Sequence, residues 1–370
     1  MGVTNMASYE RYALKSGDTR WRVWYYDPGH KRRNKSGFKT KRDAGDWAAR
    51  NITTAINDGS YVDPQSGRVC IGVLGEEWIA AHQNVWKPSH AYSMKSSWRT
   101  HVAPKWGKRA LGDVRHSEVQ SWINDLSSRR SASVVKRAFS ILNGIYETAR
   151  DDGRISRLPV TNIKLPKKQR KKRVYLTPEQ LSKLADYSGP HRPLILVLGL
   201  CGLRWGEATA LTASDVDFRM NRLHITKSVS QVGGKFEVSA PKTWKNRDVP
   251  MFKPVADALR EVVKGKQPDD LLFPSTKGGY MPPQGKRHNS WYGRALEESG
   301  VPLLTCHDLR HTAASIAVHS GANVKVVQRM LGHSSAAMTL DIYADLFSED
   351  LDTLTLNVDA AIADVFNKDE

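Results

Sequence analysis

The sequence predicts a multidomain protein: a small α+β N-terminal module, an all-α helical bundle, and a larger mainly-α domain that carries a small antiparallel sheet. Three observations predict it. Aromatic and β-branched residues alternate with period two near the start, four consecutive segments then carry apolar residues at helical spacing, and from residue 177 on helices are interrupted by one strand-rich stretch. With 370 residues, 40% hydrophobic and 25% charged, the chain is long enough for two or three separate cores.

In the first module, strands are expected over Tyr9–Leu14, Arg20–Asp27 and Lys31–Lys39, with Asp27-Pro28-Gly29 as a turn. From Thr40 the pattern becomes helical, with Ala44, Trp47, Ala48 and Ile52 on one face. A stretch with Pro64, Ser66 and Gly67 separates this module, residues 1–66, from the bundle, residues 69–163. Four helices are expected there, over 73–85, 91–102, 117–126 and 133–150. Residues 164–173 hold seven basic side chains and no acidic one, and like charges at that density cannot fold alone, so they read as a linker. Thr177-Pro178 opens the last domain, residues 174–370, as an N-cap followed by proline. Helices are expected over 179–187, 191–203, 206–212, 254–264, 287–299, 307–320, 323–331 and 335–346. Between them, strands Leu223–Ser230 and Lys235–Ser239 flank Gly233-Gly234, and Asp248-Val249-Pro250 closes a third. The end of the chain has Leu351, Leu354, Val358, Ile362 and Val365 at helical steps, a face able to pack in cis or on another protomer.

Charge narrows the partner. There are 56 Lys+Arg against 38 Asp+Glu, a net +18. The last thirty residues are acidic, whereas every earlier part is basic, which favours nucleic acid over a membrane surface. The longest apolar run, Leu194–Leu203, contains two glycines and reads as a buried helix rather than a span. Three cysteines cannot close a disulfide framework, and no secretion signal pattern opens the chain, so the cytoplasm is the expected compartment. Candidate DNA contacts are Lys31, Arg32, Arg33, Lys35 and Lys39 in the first module, Arg99, Lys136 and Arg137 in the bundle, and Lys167, Lys168, Arg170, Lys171, Lys172 and Arg173 in the linker.

Polar residues of the last domain suggest chemistry. Arg204 leaves a core helix with Glu207 one turn on, and needs that carboxylate or an anion as partner. Lys242 lies in Pro241-Lys242-Thr243, with Lys245 and Arg247 as neighbours. His307 and Arg310 stand at a helix N-terminus, His333 follows Leu331-Gly332, and Tyr343 comes ten residues later. His307 and His311 share the spacing of a zinc helix, but Asp308 replaces the glutamate base and Arg310 would put a cation beside the metal. A Cys306 nucleophile beside His307 has no third orienting group.

Taken together, Gly202-Leu203-Arg204-x-x-Glu207, Pro241-Lys242-Thr243, His307-x-x-Arg310-His311, Leu331-Gly332-His333 and Tyr343 resemble, in order and spacing, the tyrosine recombinase family, and within it the temperate-phage integrases of lambda-like or mycobacteriophage type. Trp98–Gly112 is similar to their core-DNA-binding domain, and the first module resembles their arm-DNA-binding domain in architecture. The resemblance implies the tyrosine recombinase catalytic fold and a reaction that cuts and rejoins DNA at attachment sites. Tyr343 would be the nucleophile, giving a 3′-phosphotyrosine. Arg204, Arg310 and His333 would hold the phosphate, Lys242 would protonate the leaving 5′-oxygen, with Lys245 and Arg247 as competing candidates if the hairpin is shifted, His307 would be the base or hydrogen-bond partner of Tyr343, and Glu207 would orient the cluster. It implies no cofactor, neither Mg²⁺ nor ATP. The implied partners are double-stranded DNA, three further copies in a homotetramer, a host DNA-bending factor and a phage excisionase. A non-catalytic DNA-binding protein on the same scaffold, or a type IB topoisomerase-like relaxase, are the alternatives.

Overall fold

A computed structural model describes residues 7–57, 61–63, 65–168, 173–240 and 246–347, together with 355–356, 358–360 and 362–363. The chain divides into two compact units, 1–169 and 170–370. Lys242, Lys245, Arg170, Lys171 and Lys172 lie outside the described residues, as do Leu351, Leu354 and Val365.

In the first unit the aromatic alternation becomes an antiparallel meander, β1 (Ser8–Ala13), β2 (Thr19–Tyr26) and β3 (Arg32–Phe38). Val23 and Tyr25 turn inward onto the helix Lys41–Ala48, where Ala44 and Ala48 meet them. Thr40 caps that helix reciprocally with Asp43, its hydroxyl accepting from the Asp43 N–H at 3.0 Å and its own N–H donating to the carboxylate at 3.2 Å. The outer face of the sheet layers cations on rings: Arg22 lies 4.8 Å from the Tyr12 ring and 5.5 Å from Trp24, and Arg32 lies 4.3 Å over Trp24. Arg33 is withdrawn from the DNA contacts expected of it, because it pairs with Tyr25 on the packed side and bonds Asp27 at 3.0 Å and Asp63 at 2.7 Å.

The bundle has helices Ile71–His82, Pro88–Ser97, His116–Arg129 and Ala132–Asp151. The segment expected as one helix over 91–102 ends instead in a wider π turn, Trp98–Val102, just ahead of Pro104, whose ring and missing N–H disturb the regular ladder. Trp98, Trp106 and Tyr146 are fully buried, and a Cβ on Gly75 would sit 2.0 Å from the Trp98 ring, so only glycine admits that indole. Tyr146 spends its hydroxyl on the Leu111 carbonyl at 3.0 Å. Arg99, Lys136, Lys167 and Lys168 are exposed and Arg137 is half-buried, and Lys31, Arg32, Lys35 and Lys39 are exposed on the sheet module.

In the second unit the apolar run forms the helix Arg192–Cys201, buried from Leu194 to Gly199. Helices Pro178–Asp186, Lys253–Val263 and Cys306–His319 pack around it, with Leu181, Leu184, Val255, Leu259 and Leu309 in the same core. Gly233 and Gly234 both take positive φ, 57° and 87°, the conformation a two-residue hairpin turn demands. The strand expected over Leu223–Ser230 is in fact two strands in two sheets. β5 (Arg222–Ile225) lies between β4 (Val216–Asp217) and β8 (Arg247–Pro250), while β6 (Ser228–Val232) pairs with β7 (Lys235–Ser239). The break falls at Lys227, whose ammonium reaches Thr212 Oγ1 at 3.0 Å and Asp215 at 3.2 Å. Beyond it, the Val229 carbonyl comes within 2.1 Å of where a Cβ on Gly206 would be, so β6 is drawn against the short helix Trp205–Ala208. In the tail, Leu356, Val358 and Ile362 are exposed.

Candidate active site

Two helices stop beside each other in the second unit, and the site is built on their ends. Arg192–Cys201 terminates at Gly202 (φ 68°) and Val324–Leu331 at Gly332 (φ 64°), both left-handed. A side chain at Gly202 would also strike Leu331, whose Cδ2 lies 2.7 Å from the ideal Cβ. These turns leave main-chain oxygens facing inward, and arginines take them. Arg310, 2% exposed, donates Nη1 to the Gly202 carbonyl at 2.6 Å and Nη2 to the Leu331 carbonyl. Arg204 donates Nη1 to Glu207 Oε1 at 2.7 Å and Nη2 to the Gly332 carbonyl at 3.4 Å, while its backbone N–H caps onto Glu207 Oε2 at 2.9 Å.

Arg247 completes the group. Its Nη1 and Nη2 grip both oxygens of Glu207, at 3.1 and 2.7 Å, and its Nε donates to the Met330 carbonyl at 3.1 Å. This corrects its standing as a candidate proton donor to the leaving oxygen: a guanidinium holds its proton, and all three nitrogens are engaged in structure. Burial alone would favour a neutral Glu207, but the Arg247 hydrogen bonds and the charges of Arg247 and Arg204 outweigh it and hold the carboxyl down at about 2.

Two guanidiniums therefore share one carboxylate and the third is held by carbonyls, and the surplus positive charge borders a cavity of about 740 Å³ whose lining includes Arg204, Arg247, Asp248, Arg329, Gly332 and His333. Burial, then the nearby Arg204, push the Arg310 guanidinium down to about 9, so it stays charged at neutral pH while gaining from any anion brought close. His333 is pushed down to about 3 by burial and then by Arg310 and Arg204, so its ring is neutral. Its Nδ1 lies 3.0 Å from the Thr339 hydroxyl; with that hydroxyl donating, Nε2 carries the proton and is a hydrogen-bond donor.

Tyr343 sits behind these groups at a kink: its φ of −125° and ψ of 17° interrupt the helix Ala336–Phe347. The ring is 1% exposed, packed among Ala314, Val318, Val327 and Leu331, and lies nearly parallel to His333 with centroids 6.3 Å apart. Its hydroxyl is hydrogen-bonded to His311 Nδ1 at 2.7 Å. The preceding carbonyl, of Ile342, accepts from Arg173 Nη1 at 2.5 Å. The contact expected of His307 thus belongs to His311, one turn further along the same helix. His307 is exposed, its ring 5.1 Å from that of His311. The four-residue spacing of the two histidines is the signal available for His311, and in the sequence it suggests only a zinc helix, which Asp308 and Arg310 argue against. Among the described residues no group of three or more His, Cys, Asp or Glu is placed to hold a metal ion.

A recess bordered by guanidiniums, with a buried tyrosine behind it, is suited to receive a phosphodiester. The Phage integrase family profile matches residues 174–350 and the Phage integrase central domain profile matches 72–165. The integrase of Mycobacterium phage D29 is 26% identical over 323 residues, 82% of this chain and 83% of its own. The ICEBs1 integrase of Bacillus subtilis is 25% identical over 287 residues, 70% of this chain and 75% of its own. Among solved structures, the Tn1549 transposon integrase bound to a circular intermediate DNA superposes with a TM-score of 0.65 at 23% identity, covering 77% of this chain and 99% of its own. A lambda integrase tetramer bound to a Holliday junction does so with a TM-score of 0.56 at 18% identity, covering 88% and 96%. The chain belongs to the phage integrase family, the site-specific tyrosine recombinases that cleave and rejoin DNA.

Proposed function

We propose that the protein integrates and, with accessory factors, excises phage DNA at paired attachment sites by way of a 3′-phosphotyrosine on Tyr343. The observation that carries this reading is the cavity lined by Arg204 and His333, with the Arg310 guanidinium buried close to both and Tyr343 stacked behind His333. Two guanidiniums and an imidazole N–H are donors for the non-bridging oxygens as charge builds on the phosphorane, and losing one such donor costs about 10²–10³ in rate. Glu207 fixes Arg204 and Arg247 rather than touching the substrate. Lys242 protonates the departing 5′-oxygen, and His307, at the helix N-terminus, adds a hydrogen bond to the phosphate. The donors are cationic or neutral, without the carboxylate cage that two-metal phosphoryl transfer uses.

The test is incubation of the protein with a nicked suicide duplex in EDTA. A covalent adduct forms and maps to the peptide holding Tyr343; a strict metal requirement, or an adduct elsewhere, overturns the mechanism.

The sheet module is assigned to arm-type sites and the bundle to core-type sites. Supporting the first is the outer sheet face, where Arg22, Trp24 and Arg32 form one stacked basic surface of the kind β-sheet readers present to a groove. Deleting residues 1–66 should abolish arm-site binding in gel shifts and spare core-site cleavage, whereas loss of cleavage would reverse the assignment. By analogy with the lambda integrase tetramer on a Holliday junction, the working form is a homotetramer on DNA in the bacterial cytoplasm, with a host DNA-bending factor and a phage excisionase.

A further inference from the structure

The guanidiniums account for the phosphate, which leaves the phenolic proton without a destination. A phenol ionises near pH 10. Here burial pushes Tyr343 up to about 12, with Arg310 and Arg173 pulling the other way and Tyr175 adding to the rise. A preformed phenolate is therefore scarce, and the proton must leave as the O–P bond forms.

We propose that His311 is the base that accepts the Tyr343 proton in strand cleavage and returns it in rejoining. This rests on Tyr343 being the nucleophile. In the forward step the Tyr343 oxygen bonds phosphorus and the bond from phosphorus to the 5′-oxygen breaks. The phenolic proton passes to His311 Nδ1, and the 5′-oxygen takes a proton from Lys242. No electrons change hands, and rejoining runs the same transfers backwards.

Geometry supplies the first argument. His311 Nδ1 is 2.7 Å from the phenolic oxygen, with the two rings edge to face at 65° and centroids 5.6 Å apart. For Nδ1 to accept, the neutral ring must carry its proton on Nε2.

Surroundings supply the second. His311 is faced by His307, Asp308 and Arg310 of its own helix, by Arg173 from the segment leading to Thr177, by His333 beyond Gly332, and by Tyr343 itself, whose own neighbours include Tyr175. Burial comes first, then His307 and Arg173, and against the opposing Asp308 they push the imidazole down to about 4. It is neutral at physiological pH and free to accept, yet a weak base while the recess is empty. A phosphodiester seated beside Arg204 and Arg310 brings negative charge into that same neighbourhood and raises the imidazole's basicity. The base is thereby strengthened by the substrate it serves.

The experiment is single-turnover adduct formation on a nicked suicide duplex between pH 5 and 9. The wild-type rate should rise with pH through one inflection to a plateau. His311→Ala should fall about 100-fold or more, lose that inflection, and recover part of its rate with added imidazole. His307→Ala should slow the reaction while keeping the inflection. Gel shifts and thermal melts check that each variant folds and binds. His311→Ala retaining both rate and inflection, or the inflection vanishing with His307→Ala, overturns the proposal. Should His311→Ala misfold, the imidazole nitrogens of His311 can be titrated by NMR in full-length Tyr343→Phe with and without core-site DNA. A His311 pKa that does not rise on binding is equally fatal. A wild-type adduct at another residue would instead refute the nucleophile, a separate failure.

Discussion

Tyr343→Phe protein bound to a suicide duplex should leave no covalent adduct on a denaturing gel, while its gel-shift affinity for the same duplex matches wild type. The change removes one oxygen. Structurally it deletes a single hydrogen bond to His311, worth about 1 kcal/mol, from a ring otherwise held by apolar contacts with Ala314, Val318, Val327 and Leu331. Chemically it deletes the atom that attacks phosphorus, and no arrangement of the guanidiniums compensates for that. Residual adduct at any level above that of an irrelevant protein would mean that another side chain is the nucleophile.

Glu207→Gln should lower the melting temperature by about 10 °C and remove most cleavage activity. The carboxylate is fully buried and is, among the described residues, the one acid paired with both Arg204 and Arg247, and breaking a buried ion pair on one side costs about 3–5 kcal/mol. Its pKa is depressed from 4.5 to about 2, so its ionised form stabilises the fold fully above pH 4.5 and loses that contribution as the pH falls toward 2. The amount at stake is about 3 kcal/mol. Denaturation followed from pH 6 to pH 2 should therefore show wild type losing stability more steeply than Glu207→Gln over that window. Parallel curves would show that Glu207 is not the ionised hub described above.

Much of this molecule is readable from its residues alone. Local signals carry it: the alternation Trp21, Val23, Tyr25, the Thr177-Pro178 start and the Gly233-Gly234 turn each dictate backbone conformation within a few residues. Arg204, Glu207, Arg310 and His333 are legible as a set because their motifs keep order and spacing, and the fold brings them together. What stays hidden depends on contacts distant in the chain. Nothing near Lys227 announces that Thr212 and Asp215 will hold it and split a strand in two. Arg247 looks like any hairpin cation until Glu207, forty residues earlier, claims both its terminal nitrogens. The choice between His307 and His311 depends on the rotation of one helix against Tyr343, which spacing alone does not set. Arg33 reads as one more member of a basic cluster, although two aspartates on the packed side neutralise it.

The arginines at the heart of the second unit are steadied largely by peptide oxygens, those of Gly202, Met330, Leu331 and Gly332. Peptide oxygens are common to every amino acid, so neighbouring side chains can be exchanged during divergence without loosening the guanidiniums. Glu207 and the two left-handed glycines are the parts that are hard to replace. A scaffold of this construction tolerates wide sequence drift so long as two helices keep ending where they do.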